Sequence, residues 1–234
     1  SFNRKAKTAV ITGLASVLIV PFIISPIIES KYKNAMNEGE KLEVLIIQPN
    51  IDPYNKFEAM TQGQQNDLLI NAMSESLAYR KNDSTAAPLL VIAPETFTSD
   101  IITNNIKSSP SWKSFISFLQ DYPNVSLLFG ASSHTYIDSK DAPSHTARHI
   151  ADGKWCESHN SALMIDRSGR TEIFHKNKLV VAVEKTPYPA IFCPIDDKLG
   201  GVMGRCIGQG EIDVLHVCQD REKAIPVGCA ICYE

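Results

Sequence analysis

The sequence has no surplus of basic charge: Lys plus Arg is 23, Asp plus Glu is 26, and the formal net charge is −3. A nucleic-acid-binding face normally carries a clustered basic excess, so the composition argues against one. Six cysteines in 234 residues are too dilute for a disulfide-stapled scaffold. Gly200-Gly201 and Gly204 are not followed by a Lys-Ser/Thr pair, so they make no phosphate loop. Internal repeats and low-complexity tracts are also missing, which excludes solenoid and tail architectures. What is present is ordinary for a folded chain, with 44% hydrophobic and 21% charged residues, and that excludes disorder throughout.

Charge is also wholly missing from residues 8–28, TAVITGLASVLIVPFIISPII. At about 1.5 Å per residue this stretch reaches about 30 Å, the thickness of a bilayer's hydrocarbon core. A soluble helix has no need to be apolar on every side. Pro21 and Pro26 would break a soluble helix, but membrane helices tolerate them. A cleaved signal peptide, with Arg4, Lys5 and Lys7 as its basic start, is the rival reading. The run exceeds the usual apolar region of about 7–15 residues, and no small-x-small cleavage site follows, so a retained transmembrane helix is expected. Arg4, Lys5 and Lys7 balance Lys31, Lys33 and Lys41, so flanking charge leaves the orientation open. Residues 1–7 read as a flank and residues 29–41 as a polar linker. The start at Ser1 suggests an internal piece of a longer protein.

Beyond the linker, buried strands alternate with helices. Residues 42–48 (LEVLIIQ), 88–93 (PLLVIA) and 125–130 (VSLLFG) read as buried strands. Leu68, Leu69, Ala72, Met73 and Leu77 recur at helical spacing within 60–80, as do Trp112, Phe115, Phe118 and Leu119 within 111–121. Residues 160–166 and 171–174 flank a turn at 167–170 and read as a hairpin. Residues 132–158 read as a polar loop. Residues 186–210 read as a long Pro- and Gly-rich loop, a candidate lid. Residues 211–217 and 224–231 read as the last strands. The alternation predicts one α/β layered domain over 42–234.

In open α/β sheets, functional residues collect beyond the carboxyl ends of strands. Glu95 follows the strand at 88–93, Cys232 follows the one at 224–231, and Lys176 follows 171–174. A carboxylate, a thiol and an ammonium are candidates for general base, nucleophile and oxyanion stabiliser. Each also has an ordinary explanation: a core cysteine, a helix-cap acid, a solvated turn lysine. Metal ligation is a rival reading, from His145 and His149, Cys156 with His159, and Cys229 with Cys232. Pro143 and Gly153 oppose the helix that would bring the first pair together, and strand residues three apart point to opposite faces.

Taken together, in the order Glu, Lys, Cys, these residues resemble the nitrilase (carbon–nitrogen hydrolase) superfamily. The resemblance is closest to its apolipoprotein N-acyltransferase branch, in which a membrane helix leads into the nitrilase-like domain. It rests on LIIQPNI (45–51), APETF (93–97), HNSALMID (159–166), HKNKLVVAVEKTPY (175–188) and IPVGCAICYE (225–234). It implies a nitrilase-like α-β-β-α sandwich, incomplete at its C-terminus, with Glu95 as general base, Lys176 as oxyanion-stabilising lysine and Cys232 as nucleophile. Glu184 matches a second functional glutamate, and Tyr233 and Glu234 match the pair that shapes the nucleophile's surroundings. The chain departs from the pattern at Ala93, where Trp is common, at Lys178, where His is common, and at residues 181–183, where Pro-Phe-Gly is common.

The implied activity is transfer of an acyl chain from a phospholipid, through a Cys232 thioester, to the N-terminal amine of a diacylglyceryl-cysteine apolipoprotein. It needs no cofactor or metal. The implied setting is the bacterial inner membrane, with the catalytic domain facing the periplasm and residues 1–7 the cytoplasm. The alternative is a membrane-tethered amidase with the same three residues. Because the chain stops two residues after Cys232, a segment of residues 29–234 is expected to fold poorly alone.

Overall fold

The computed structural model describes residues 4–38, 42–52, 54–218, 224–232 and 234. They belong to two units, residues 1–41 and 42–234.

In the first unit the charge-free run is helical, as predicted. Helix α1 spans Arg4–Glu38 and contains Pro21 and Pro26. Val10, Ile11, Ile19, Val20 and Ile23 are exposed on different sides of it, so no single apolar stripe exists. By length and composition it is a candidate membrane span. Residues 29–38, within the stretch read as a linker, continue the helix. Residues four apart are neighbours on a helix surface, and Glu29 and Lys33 use this in an ion pair at 2.6 Å.

The second unit is built on a seven-stranded mixed sheet. Strands β1 (Glu43–Ile46), β2 (Leu89–Ile92), β3 (Thr98–Ile102) and β4 (Val125–Asp138) precede β5 (Arg148–Ala151), β6 (Lys154–Asp166) and β7 (Thr171–His175). The order is β1-β2-β4-β6-β5, with β3 also on β4 and β7 also on β6. The pairs β1–β2, β2–β4 and β3–β4 are parallel, and those made by β6 are antiparallel.

Helices α2 (Gln62–Leu77) and α3 (Pro110–Leu119) cover one face. Leu69, Met73, Leu77, Phe115 and Leu119 pack there against Leu89, Val91, Leu127, Phe129, Leu163 and Ile165. Each such buried side chain contributes about 1.5–3 kcal/mol. Thr61 and Gln64 start α2 with a reciprocal capping box. The alternate strand residues Leu90, Ala162, Met164 and Phe174 face the other way. They meet Leu215, Val217 and Cys218, on and just after the first strand of a small antiparallel sheet, β8 (Val214–Val217) with β9 (Ile225–Gly228). The layers are thus helices, mixed sheet and two-stranded sheet.

Several local expectations are corrected. Strand β1 is an edge strand, so Val44 and Ile46 are exposed rather than buried. Residues 132–158, expected as a loop, carry the end of β4, all of β5 and the start of β6. Their polar side chains find partners across the sheet, as Ser133 does with Ser161 at 2.6 Å and His134 with Ser158 at 3.3 Å. Helix α4 (Pro189–Lys198) interrupts the expected loop at 186–210. It is fastened by buried Arg205, whose Nη2 lies 2.6 Å from Asp196 and 2.7 Å from Asp197. The last two strands are shorter than expected, so Cys229 lies beyond β9 rather than in it.

Candidate active site

The site forms where the two long strands lose their neighbours. Strands β4 and β6 pair continuously, from Ser126 opposite Asp166 to Asp138 opposite Lys154. On the outer side of β4, β2 stops at Ile92 opposite Leu128, and β3 starts at Thr98 opposite Ala131. On the outer side of β6, β7 stops at His175 opposite Ser161. At this one level the chain leaves the sheet on both sides, carrying Glu95 from one edge and Lys176 from the other. Asn160, opposite Ser132, lies between them.

Gly130 makes the first departure sterically possible. Its N–H donates to the Pro94 carbonyl at 3.1 Å, and a Cβ on it would lie 2.5 Å from Glu95 Cα. Thr96 takes a left-handed φ of 48°, a conformation that a β-branched residue adopts only under constraint. The Lys56 ammonium donates to the Thr96 carbonyl at 2.7 Å and so braces this turn. Burial pushes the Lys56 pKa down, and Glu95 opposes that shift.

Lys176 is 0% exposed, which overturns its reading as a solvated turn residue. A buried ammonium is tolerable only when paired. Its Nζ donates to Glu184 Oε1 at 2.9 Å and lies 3.5 Å from Glu95 Oε1. Burial opposes its charge, but Glu184, Glu95 and the nearby Cys232 outweigh it and hold the pKa above the ordinary lysine value. Glu184 is pushed up by burial. Donors from the Val180 N–H, Asn160 and Lys176 win and hold its carboxyl below the usual range. The loop that carries Glu184 packs so tightly that a Cβ on Gly204 would lie 1.7 Å from the Val183 carbonyl oxygen.

Cys232 is exposed, has a left-handed φ of 60°, and lines a cavity of about 150 Å³. Glu95, Gly130, Ser161 and Cys229 line the same cavity. Glu234 fastens this end of the chain to the Lys176 segment. One carboxylate oxygen accepts from the backbone N–H groups of Asn177 at 2.6 Å and Lys178 at 3.0 Å, and the other from Ile231 at 2.9 Å. Burial raises the Glu234 pKa, but these three donors and the Lys176 charge lower it more. The Cys229 thiol is pushed up to about 11, first by burial and then by Glu234. Tyr233, expected in this group, lies outside the described residues. Among the described residues, no three His, Cys, Asp or Glu side chains converge on a metal-binding position.

Five of the six predicted site residues (Glu95, Lys176, Glu184, Cys232 and Glu234) therefore meet in one region. Asn160 was not singled out from the sequence, although it lies within HNSALMID. Its Nδ2 donates to Glu95 Oε1 and to Glu184 Oε1, both at 2.7 Å. An asparagine in a β-strand carries no local pattern that announces such partners.

A curated relative from Chlorobaculum tepidum, an apolipoprotein N-acyltransferase, aligns with the whole chain at 22% identity over 241 positions. The chain is similar to apolipoprotein N-acyltransferase. This agrees with the resemblance carried by the motifs. The chain spans 43% of that relative's length. No family model matches the sequence. Among solved structures, XC1258 from Xanthomonas campestris, a CN-hydrolase superfamily protein with an arsenic adduct in its active site, aligns at 15% identity with a TM-score of 0.35. That alignment covers 67% of this chain and 44% of XC1258.

Proposed function

We propose that this chain carries the catalytic residues of an N-acyltransferase that moves a fatty acyl chain from a phospholipid to the N-terminal amine of a diacylglyceryl-cysteine apolipoprotein. The observation that carries this reading is a fully buried Lys176 held between Glu95 and Glu184, with Glu95 and Cys232 lining one cavity. The candidate membrane span and the name of the Chlorobaculum relative support a lipid substrate.

In the first step Glu95 takes the proton of the Cys232 thiol, and the sulfur attacks the ester carbonyl of the phospholipid. Lys176, with backbone N–H groups, stabilises the oxyanion. Collapse breaks the carbon–oxygen bond, and the leaving alkoxide takes the proton back from Glu95. A lysophospholipid departs and a thioester remains on Cys232. In the second step the acceptor's amine attacks the thioester, Glu95 takes the amine proton, and the carbon–sulfur bond breaks. The amide leaves and the proton returns to sulfur. The setting we assign is a bacterial inner membrane with residues 42–234 on the periplasmic side, where the acceptor's lipid chains and amine are both within reach.

Intact mass spectrometry of the full-length protein in detergent, incubated with phospholipid beside a Cys232→Ser control, tests this. The expected result is a gain of one acyl chain, removed by hydroxylamine and absent from the control. Ammonia release from small amides without an adduct would replace the reading with a membrane-tethered amidase.

A further inference from the structure

Glu95 and Glu184 each turn one oxygen, Oε1, toward the same two donors. Lys176 Nζ lies 3.5 Å from the first and 2.9 Å from the second. Asn160 Nδ2 lies 2.7 Å from both. The shortest contact that holds Glu95 is thus made by Asn160 and not by the lysine. An NH₂ group has two hydrogens, so each carboxylate receives one.

We propose that Asn160 is a positioning residue that aims Glu95 at Cys232 by tying the two adjacent carboxylates to one amide. This rests on the reading of Glu95 as the general base. Lys176 alone supplies one positive charge to two negative ones, and it sits closer to Glu184. Without the amide, Glu95 retains the longer contact and the repulsion of its neighbour. Glu95 is the more exposed of the two carboxylates, with 42% of its side chain open against 15% for Glu184. It is therefore the one free to swing away. The other ionisable groups that bear on it are Lys56, across the Thr96 turn, and Cys232. Glu234 acts at one remove, through Lys176.

The alternative is that Asn160 merely stitches the fold together. A stitching asparagine normally satisfies both ends of its amide. Here Oδ1 is buried and has no hydrogen-bond partner among the described residues, while Nδ2 serves the two carboxylates. The side chain is thus ordered by the site. Its backbone carbonyl does the structural work separately, accepting from the Lys176 N–H at 2.8 Å.

The test compares the full-length protein with Asn160→Ala and Asn160→Asp variants in detergent, with two readouts. The first is the rate of thioester formation on Cys232 from phospholipid. The second, which needs no substrate, is the pH dependence of Cys232 alkylation by iodoacetamide, followed at that peptide by mass spectrometry. With Ala, acylation slows at least about tenfold near neutral pH, and the pH profile of Cys232 alkylation shifts because Glu95 no longer holds its place beside the thiol. With Asp, which offers no donor and adds a negative charge, the shift is larger. The phospholipid concentration for half-maximal rate stays within about twofold, since the amide touches only the two carboxylates and not the lipid.

Unchanged alkylation profiles in both folded variants would overturn the proposal. So would an equal rate loss at every pH that tracks a lowered Tm. If the wild-type protein takes no acyl group yet the alkylation profile still shifts in the variants, the positioning role stands and the acyltransferase reading falls.

Discussion

Gly130 lies so close to Glu95 that a single added methyl group would sit 2.5 Å from the Glu95 α-carbon, inside any carbon–carbon contact distance. The obstacle is backbone, which no side-chain rotation relieves. Through this contact the interior of β4 sets the position of a carboxylate that it does not itself carry.

Gly130→Ala is therefore expected to displace the 94–96 turn. The cost is about 2–3 kcal/mol of stability, in the range of overpacking changes. Activity should fall further than stability, because Glu95 moves with its backbone. Thermal denaturation and acyl-enzyme formation measured on the same preparation check this, and near wild-type values for both would contradict it.

Lys176 is buried and pairs with half-buried Glu184, so removing the lysine leaves that carboxylate without its nearest cation. Lys176→Met is expected to cost about 1–3 kcal/mol by removing the cation from Glu184, which keeps only the Asn160 and Val180 donors. Adding Glu184→Gln to that variant should recover much of the loss, because the stranded charge is gone. It should recover no acyl transfer, since the oxyanion's partner is still missing. A double-mutant cycle on stability, run beside the activity assay, separates the two effects. Additive stability losses would refute the coupling.

His175 precedes Lys176 and stacks on His159 with ring centroids 4.2 Å apart. Burial first, and then the charge of His159, lower its pKa to about 4 from an ordinary 6.5. The unfolded chain therefore binds a proton on His175 more readily than the folded one. Stability should be full above about pH 6.5, fall as pH drops toward 4, and level off below. The total for this group is about 3 kcal/mol. Chemical denaturation between pH 4 and 7 should show this slope, and His175→Gln should flatten it. An equal slope in the variant would show that the titrating group lies elsewhere.

The elements that were legible in the sequence are those that a local pattern specifies. The apolar runs at 88–93 and 125–130 became β2 and the start of β4 because parallel strands are buried on both faces. Residues 132–158 show no strand signal in the sequence because their strands are polar. Ser133, Thr135, Ser158 and His159 are satisfied by partners on neighbouring strands, and hydrophobic periodicity does not register that. Helix α4 gives no local signal because the residue that fastens it, Arg205 on Asp196, lies outside the helix. At the site, the motifs named Glu95, Lys176, Glu184, Cys232 and Glu234, residue types whose chemistry is intrinsic.

What the sequence by itself determined was composition, the charge-free run, the main strand and helix pattern, and the candidate base, nucleophile and oxyanion-stabilising cation. All of these rest on a residue's own chemistry or on neighbours a few positions away. The tertiary structure decided that Lys176 is buried, that Gly130 admits Glu95, that Glu234 ties the chain's end to Asn177, and that Asn160 bridges two carboxylates. Asn160 meets partners 65 and 24 residues distant. A contact across such separations exists only once strands β4 and β6 have paired and their neighbours have ended at the same level.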